Sequence, residues 1–284
     1  MKTSSLILLF LIALCFTSCT EQRTNYIILL DNSNSIPNDL WNKYLSVIEK
    51  TVLHNLCNKD KLTIEFIDEC SMTKAQRIYT LDLSQINFSN LSDGQIAKDD
   101  SVKVRLTRFL DDSIAPALKD SLYEERAQRK VCANYTDILN AIHESTSLLM
   151  PNKNFSSSFN EVTNSAVGKH NYIYTNSIII FSDMVNEDAE HKYDFTRMAT
   201  VPNNDIDKKV EELHDFQAIP NLTGVQVFVY GATASQTGIH ADQQIENIQY
   251  FWQQYFKNAG AELKAYGYDT QNELQEYVSS DSQQ

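Results

Sequence analysis

Thr24 to Ser35, with the sequence TNYIILLDNSNS, joins a short apolar run to a cluster of polar residues. The run from Thr24 to Leu30 is apolar and β-branched, which is typical of a buried strand. Asp31 marks its end, and apolar residues spaced three and four apart then predict a helix between Ile36 and Leu56. The stretch therefore predicts a strand, a polar loop and a helix.

The same alternation of strands and helices continues along the chain. Patterns typical of strands occur at Leu62–Ile67, Arg77–Leu83, Tyr174–Phe181, Val225–Tyr230 and Ala261–Tyr266, and patterns typical of helices at Val102–Lys130, Thr136–Leu149, Asp205–Phe216 and Asp242–Asn258. Such alternation predicts a doubly wound α/β fold with helices on both faces of a mostly parallel sheet. We expect about six strands, with one antiparallel edge strand, in one domain over residues 25–270. A polar C-terminal tail is expected at residues 271–284.

Composition and charge exclude several classes of protein. The chain has 284 residues and a formal net charge of −13, which argues against nucleic acid as a partner. None of its seven glycines forms a glycine-rich phosphate loop, so dinucleotide and P-loop chemistry have no candidate motif. The cysteines and histidines show no zinc-ligand spacing.

The N-terminus predicts export and anchoring. An apolar run from Leu6 to Phe16 is too short to span a bilayer and predicts a signal peptide at residues 1–18. The tetrapeptide Phe16-Thr17-Ser18-Cys19 resembles the lipobox of bacterial lipoproteins, which implies that Cys19 carries lipid and begins the mature chain. Residues 19–24 would then form a short tether to the membrane, and we expect the outer membrane of a bacterial cell envelope. An ordinary cleaved signal, with Cys19 incidental, is the alternative.

Three cysteines remain beyond Cys15 and Cys19, and in an oxidising compartment at most one pair of them can form an internal disulfide. Cys70 follows the second predicted strand, and Cys132 shortly precedes the helix that begins near Thr136. Both positions belong at the same edge of the predicted sheet. If a bridge forms, we therefore expect it to join Cys70 to Cys132; the sequence leaves open whether one forms.

Polar residues follow two of the predicted strands and open one helix. Asp31, Ser33 and Ser35 come directly after the first strand. Asp183 lies two residues after the strand that finishes at Phe181, and Thr136 begins a helical pattern. Ligands of parallel α/β sheets bind at the carboxyl ends of the strands. Hydroxyl and carboxylate oxygens suit Mg²⁺ or Mn²⁺, and this set leaves a coordination position for water or for a ligand's oxygen.

These residues resemble the metal-ion-dependent adhesion site of the von Willebrand factor A (vWA) family. That site has D-x-S-x-S after the first strand, a Thr in a second loop and an Asp after the fourth strand. The matching residues are Asp31, Ser33 and Ser35 in DNSNS, Thr136 in ANYTDILNAI and Asp183 in IIIFSDM. The resemblance covers about residues 25–267.

The resemblance implies that the three hydroxyls coordinate the metal directly and that the two aspartates often act through bound water. Family members often carry Gly before the Thr and Asp-Gly after the fourth strand, whereas this chain has Asn134-Tyr135 and Asp183-Met184. The function that the resemblance implies is that of a non-enzymatic binding module: a lipid-anchored vWA domain whose Mg²⁺ captures an acidic side chain of a partner protein.

Three alternatives stay open at this point. A phosphatase of the haloacid dehalogenase type also places an Asp after its first strand, but its D-x-D motif has Ser33 in place of the second Asp here. A structural lipoprotein could retain a vestigial metal site. Asp, Ser and Thr at these positions could also serve only as turn and helix-capping residues.

Overall fold

The computed structural model describes residues 21–72, 77–86, 102–151, 172–187, 192–232 and 241–281. The predicted signal peptide and Cys19 lie outside these residues. None of the helices in the described part of the chain is long and apolar enough to cross a membrane.

Six strands form one sheet in the order β3-β2-β1-β4-β5-β6. Neighbouring strands are parallel except for β2 and β3, which are antiparallel at one edge. The predicted α/β fold with one antiparallel edge strand is confirmed. The strands are β1 (Glu21–Asp31), β2 (Lys61–Ile67), β3 (Arg77–Asp82), β4 (Tyr172–Phe181), β5 (Val225–Tyr230) and β6 (Glu262–Gly267).

Seven α-helices occur in the described ranges, and they cover both faces of the sheet. Apolar residues of α1, α2, α3 and α7 pack against one face, and those of α4, α5 and α6 against the other. Short 3-10 or π-helical turns extend several of them. The helices are α1 (Asn38–Val47), α2 (Val102–Phe109), α3 (Ala115–Gln128), α4 (Ile138–Ser145), α5 (Asn203–Asp215), α6 (Ala241–Asn258) and α7 (Gln271–Asp281).

The apolar run of β1 lies at the centre of the sheet and is buried on both faces. Ile28 and Leu30 belong to the core under α1, while Ile27 and Leu29 belong to the core under α4. Burial on both sides explains why the sequence is continuously apolar rather than alternating. Because β1 runs parallel to β2 and β4, the residues that follow these three strands emerge at one edge of the sheet.

The strand begins earlier than its sequence pattern indicates. β1 starts at Glu21 rather than Thr24, because its pairing with β4 extends back to Glu21 opposite Tyr172. The predicted tether of residues 19–24 thus overlaps the strand. Asp31 is the last residue of β1 and lies at the end of the strand opposite to Glu21.

The C-terminal segment differs from the predicted polar tail. Residues 271–281 form α7, and Leu274 and Val278 are fully buried on the face of the helix that meets the sheet. The hydroxyl of Tyr277 lies 2.6 Å from that of Ser177 on β4. Two apolar residues one turn apart were too short a pattern to predict this helix, and their packing against the sheet is what orders it.

Candidate metal centre

Three loops lie side by side at the carboxyl edge of the sheet. The backbone N–H of Asn34 donates to the carbonyl of Ala133 at 2.9 Å, and that of Glu187 donates to the carbonyl of Thr136 at 2.9 Å. These two hydrogen bonds join segments that are far apart in the sequence. The three segments are the β1 loop (residues 32–37), the α4 loop (residues 133–137) and the β4 loop (residues 182–187).

Asp31 and the two serines of the β1 loop form a continuous chain of oxygen atoms. Asp31 Oδ1 accepts hydrogen bonds from the Ser33 N–H at 2.9 Å and from the Ser33 hydroxyl at 2.6 Å. The hydroxyls of Ser33 and Ser35 lie 2.8 Å apart. Asp31 Oδ2 accepts from the hydroxyl of Ser182 at 2.7 Å, which connects this chain to the β4 loop. Three of the predicted metal-binding residues are therefore in direct contact.

Asp183 brings a second buried carboxylate to the same place. Asp31 and Asp183 are 0% and 1% exposed, so neither charge is solvated by bulk water. Burial, followed by repulsion from Asp183, raises the pKa of Asp31 to about 7 against the lowering effect of its serine hydrogen bonds. Asp183 Oδ1 accepts a hydrogen bond from the N–H of Val185 at 2.9 Å. Two repelling, buried carboxylates fit a divalent cation, which would offset both the repulsion and the loss of solvation.

A tyrosine hydroxyl within electrostatic range of the two carboxylates has no hydrogen-bond partner among the described residues. Tyr44 on α1 is fully buried, and its Oη makes no hydrogen bond with the described residues. Burial raises its pKa, and the charges of Asp31 and Asp183 raise it further, so its hydroxyl stays protonated as a donor. A Cβ atom at Gly231 would come within 2.1 Å of this Oη.

Thr136 is buried at 2% exposure, but it does not cap the helix that follows it. The cap of α4 is Asp137, whose carboxylate accepts from the N–H of Asn140 at 3.3 Å. Helix α1 likewise begins after Pro37 without a side-chain cap. The capping interpretation is therefore wrong for Thr136 and for the polar residues of the β1 loop.

A turn of the kind that Asp31 makes is common in this protein. Asp82 and Asp194 each accept hydrogen bonds from both the N–H and the hydroxyl of a residue two positions later. Unlike Asp31, both are partly exposed. Asp31 is thus distinguished by complete burial and by the nearby charge of Asp183, and not by its local turn.

Met184 directly follows Asp183 in the β4 loop. Its φ is +65°, in the left-handed region that glycine favours. Two hydrogen bonds hold this conformation: the Met184 N–H donates to the Ser182 hydroxyl at 3.0 Å, and Trp252 Nε1 donates to the Met184 carbonyl at 2.9 Å. The loop therefore keeps a glycine-like backbone with a buried Met side chain.

Asn186 is a structural residue of the site that its sequence pattern did not indicate. Its side chain is fully buried, and Oδ1 accepts from the N–H groups of Ile138 and Leu139 at 2.9 and 3.2 Å. Its Nδ2 donates to the carbonyl of Tyr193. Asn186 thus fixes the β4 loop against the first turn of α4. In the sequence, the only feature that connects Asn186 with the site is its place three residues after Asp183.

A disulfide and a buried ion pair lie next to the α4 loop, in the segments that precede it and that follow β2. Cys70 and Cys132 are bonded, with Cα atoms 5.5 Å apart, which confirms the predicted pair. Arg129 donates to Asp68 at 2.7 Å, and Asp68 also accepts from the Asn32 side chain at 3.4 Å. We call these five residues the brace. Both cysteine sulfurs belong to the disulfide, although Asp68 lies close to them.

The structure thus brings Asp31, Ser33, Ser35 and Asp183 together at the carboxyl edge of the sheet. The hydrogen bond from Glu187 to the Thr136 carbonyl holds Thr136 at the same edge. Protein-family models give no match to the chain, and a comparison with curated proteins finds no relative. The chain is therefore an α/β domain with a six-stranded mixed sheet for which these comparisons identify no family.

Proposed function

We propose that this protein is a lipid-anchored vWA protein of a bacterial cell envelope whose bound Mg²⁺ or Mn²⁺ captures an Asp or Glu side chain of a partner protein. The observation that carries the proposal is the contact of the buried Asp31 carboxylate with hydroxyls of the β1 and β4 loops, beside the second buried carboxylate of Asp183. Asp31, Ser33 and Ser35 are linked oxygen to oxygen, and the Asp183 charge acts on Asp31.

The chemistry of these residues suits an ion that seeks one more ligand. By the family resemblance, Ser33, Ser35 and Thr136 would hold the metal through neutral hydroxyls, and the two aspartates would act through water. A dication with neutral direct ligands attracts an anion strongly. The net charge of −13 does not prevent this attraction, because at physiological ionic strength charges more than about 8 Å away are largely screened.

Two features support an envelope location. The N-terminal sequence has the pattern of a lipoprotein signal ending at Cys19. The Cys70–Cys132 disulfide is of a kind that persists in oxidising compartments and is rare in the cytosol of mesophiles.

Metal binding tests the proposal directly. Calorimetric titration with Mg²⁺ and Mn²⁺ is expected to show binding to the wild type and none to Asp31→Ala or Asp183→Ala. Asp82→Ala is a matched control, because Asp82 makes the same local turn as Asp31 without a second buried carboxylate. It should bind both ions like the wild type. Equal binding by Asp183→Ala would contradict the proposed site.

A further inference from the structure

Arg126 lies against the β1 loop, and its guanidinium is held in a fixed position. Its Nη2 donates to the carbonyl of Ile36 at 3.1 Å, and Ile36 directly follows Ser35. The guanidinium carbon lies 4.2 Å from the centroid of the Trp41 ring, which is fully buried. Arg126 itself is half-buried, so part of the residue reaches solvent. The contact with the Trp41 ring and the hydrogen bond to Ile36 together hold the guanidinium in place.

The position of Arg126 also places a positive charge within electrostatic range of the candidate centre. Burial lowers the pKa of Arg126, and the negative charge of Asp31 opposes that effect. Arg126 remains a cation at any physiological pH. No ion pair joins it to a carboxylate of the described residues. A cation beside a metal site weakens metal binding, so its presence needs another explanation.

We propose that Arg126 is a second contact for the anion that binds at the metal, so that one carboxylate of the partner bridges the ion and the guanidinium. The proposal rests on the function proposed above. A guanidinium has five N–H donors in a planar fork, and the bond to Ile36 uses one of them. A carboxylate has two oxygens, so one can bind the ion while the other accepts from Arg126.

This arrangement predicts opposite effects on the two binding steps. Removing the positive charge of Arg126 reduces the repulsion of the metal ion, so metal affinity rises. The same change removes a charge-assisted hydrogen bond to the anion, so anion affinity falls. A residue with only a structural role would, on removal, loosen the β1 loop and lower both affinities together.

The experiment uses acetate as the probe on the protein loaded with Mn²⁺. Calorimetry gives the Mn²⁺ affinity, and paramagnetic relaxation of the acetate methyl protons gives the acetate affinity. For Arg126→Gln we expect severalfold tighter Mn²⁺ binding and about tenfold weaker acetate binding. Arg126→Lys keeps the charge and loses the fork, and should retain wild-type Mn²⁺ affinity with weakened acetate binding. Lys119→Gln removes an exposed cation of the same helix and should match the wild type in both.

Three outcomes would overturn the inference. Acetate affinity of Arg126→Gln equal to that of Lys119→Gln would remove Arg126 from the anion site while leaving the metal site intact. A joint fall in Mn²⁺ affinity and acetate affinity would assign it a structural role. Absence of Mn²⁺ binding to the wild type would overturn the proposed metal site itself, and the bridging role with it.

Discussion

The protonation of Asp31 makes the metal-free protein sensitive to pH. Its pKa of about 7 in the folded state lies above the ordinary value of 3.8, so the folded protein keeps a proton that the unfolded chain has released. The free energy of unfolding therefore falls as the pH rises between these values, by roughly 1.4 kcal/mol per pH unit. Asp31→Asn removes this loss. We expect the variant to gain stability over the wild type as the pH rises from about 5 to about 8.

Urea unfolding of both proteins in chelator measures this gain. Saturating Mg²⁺ serves as the control, because a bound dication favours the carboxylate and should stabilise the wild type alone at the higher pH. A constant stability difference between the two proteins across the pH range would contradict the raised pKa of Asp31.

Glu65 is a buried carboxylate that lies outside the site. It is 4% exposed on β2, and its Oε1 has no hydrogen-bond partner in the described part of the chain. Burial raises its pKa, the charge of Arg77 lowers it and that of Glu144 raises it. The raised pKa again means that stability is lost as the pH rises through the titration. Glu65→Leu should therefore stabilise the protein more at about pH 8 than at about pH 5.

Urea unfolding at both pH values checks this expectation. Glu262→Leu on β6 is the control, because Glu262 is exposed and pairs with Lys264 at the surface rather than being buried. A destabilised Glu65→Leu protein at the higher pH would show that the Glu65 carboxylate is stabilised in the fold.

Residues of the site were predictable where their signal is local in sequence. Asp31, Ser33 and Ser35 follow an apolar strand at a recognisable spacing, and Asp183 ends another. The contacts of Ser182 and Arg126 with the region around the β1 loop join residues 151 and 90 positions apart, and no short window of sequence contains them.

At the scale of elements, the central strands were predictable because burial on both faces makes them continuously apolar. The N-terminal limit of β1 and the existence of α7 were not predictable. The first depends on pairing with β4 and the second on packing of Leu274 and Val278 in the core. The brace was partly predictable. The cysteine pair followed from its place at the sheet edge, whereas the ion pair of Arg129 with Asp68 had no signal beyond the charges themselves.

The brace predicts a link between the disulfide and metal binding. The disulfide closes a separation of 62 residues, and its removal should lower the free energy of unfolding by about 4 kcal/mol. Cys132 lies four residues before Thr136, so a Cys70→Ala/Cys132→Ala protein should also bind Mg²⁺ more weakly. Urea unfolding and calorimetry measure the two effects.

Cys57→Ala is the matched control, because it removes a cysteine and leaves the disulfide intact. It should retain the Mg²⁺ affinity of the wild type. A double variant that loses stability but binds Mg²⁺ as tightly as the wild type would show that the hydrogen bonds of the α4 loop position Thr136 without the disulfide.

At the scale of the whole molecule, β1 places Glu21 and the candidate metal centre at opposite ends of the sheet. The strand has 11 residues, which span roughly 35 Å at about 3.3 Å per residue. It begins two positions after Cys19, at the end of the sheet opposite to Asp31. A lipid on Cys19 would therefore hold the first end of β1 near the bilayer and direct the metal site away from it, toward a partner.

This separation predicts that anchoring and metal binding are independent. Cys19→Ala should move the protein from the membrane fraction to the soluble envelope fraction, because the lipid is the proposed attachment. The purified Cys19→Ala protein should bind Mg²⁺ like the wild type, since about 35 Å of rigid strand separates the substitution from the site. Cys57→Ala, as the control, should stay with the membrane. A Cys19→Ala protein that remains membrane-bound would contradict the lipid anchor and would require another attachment surface on the domain.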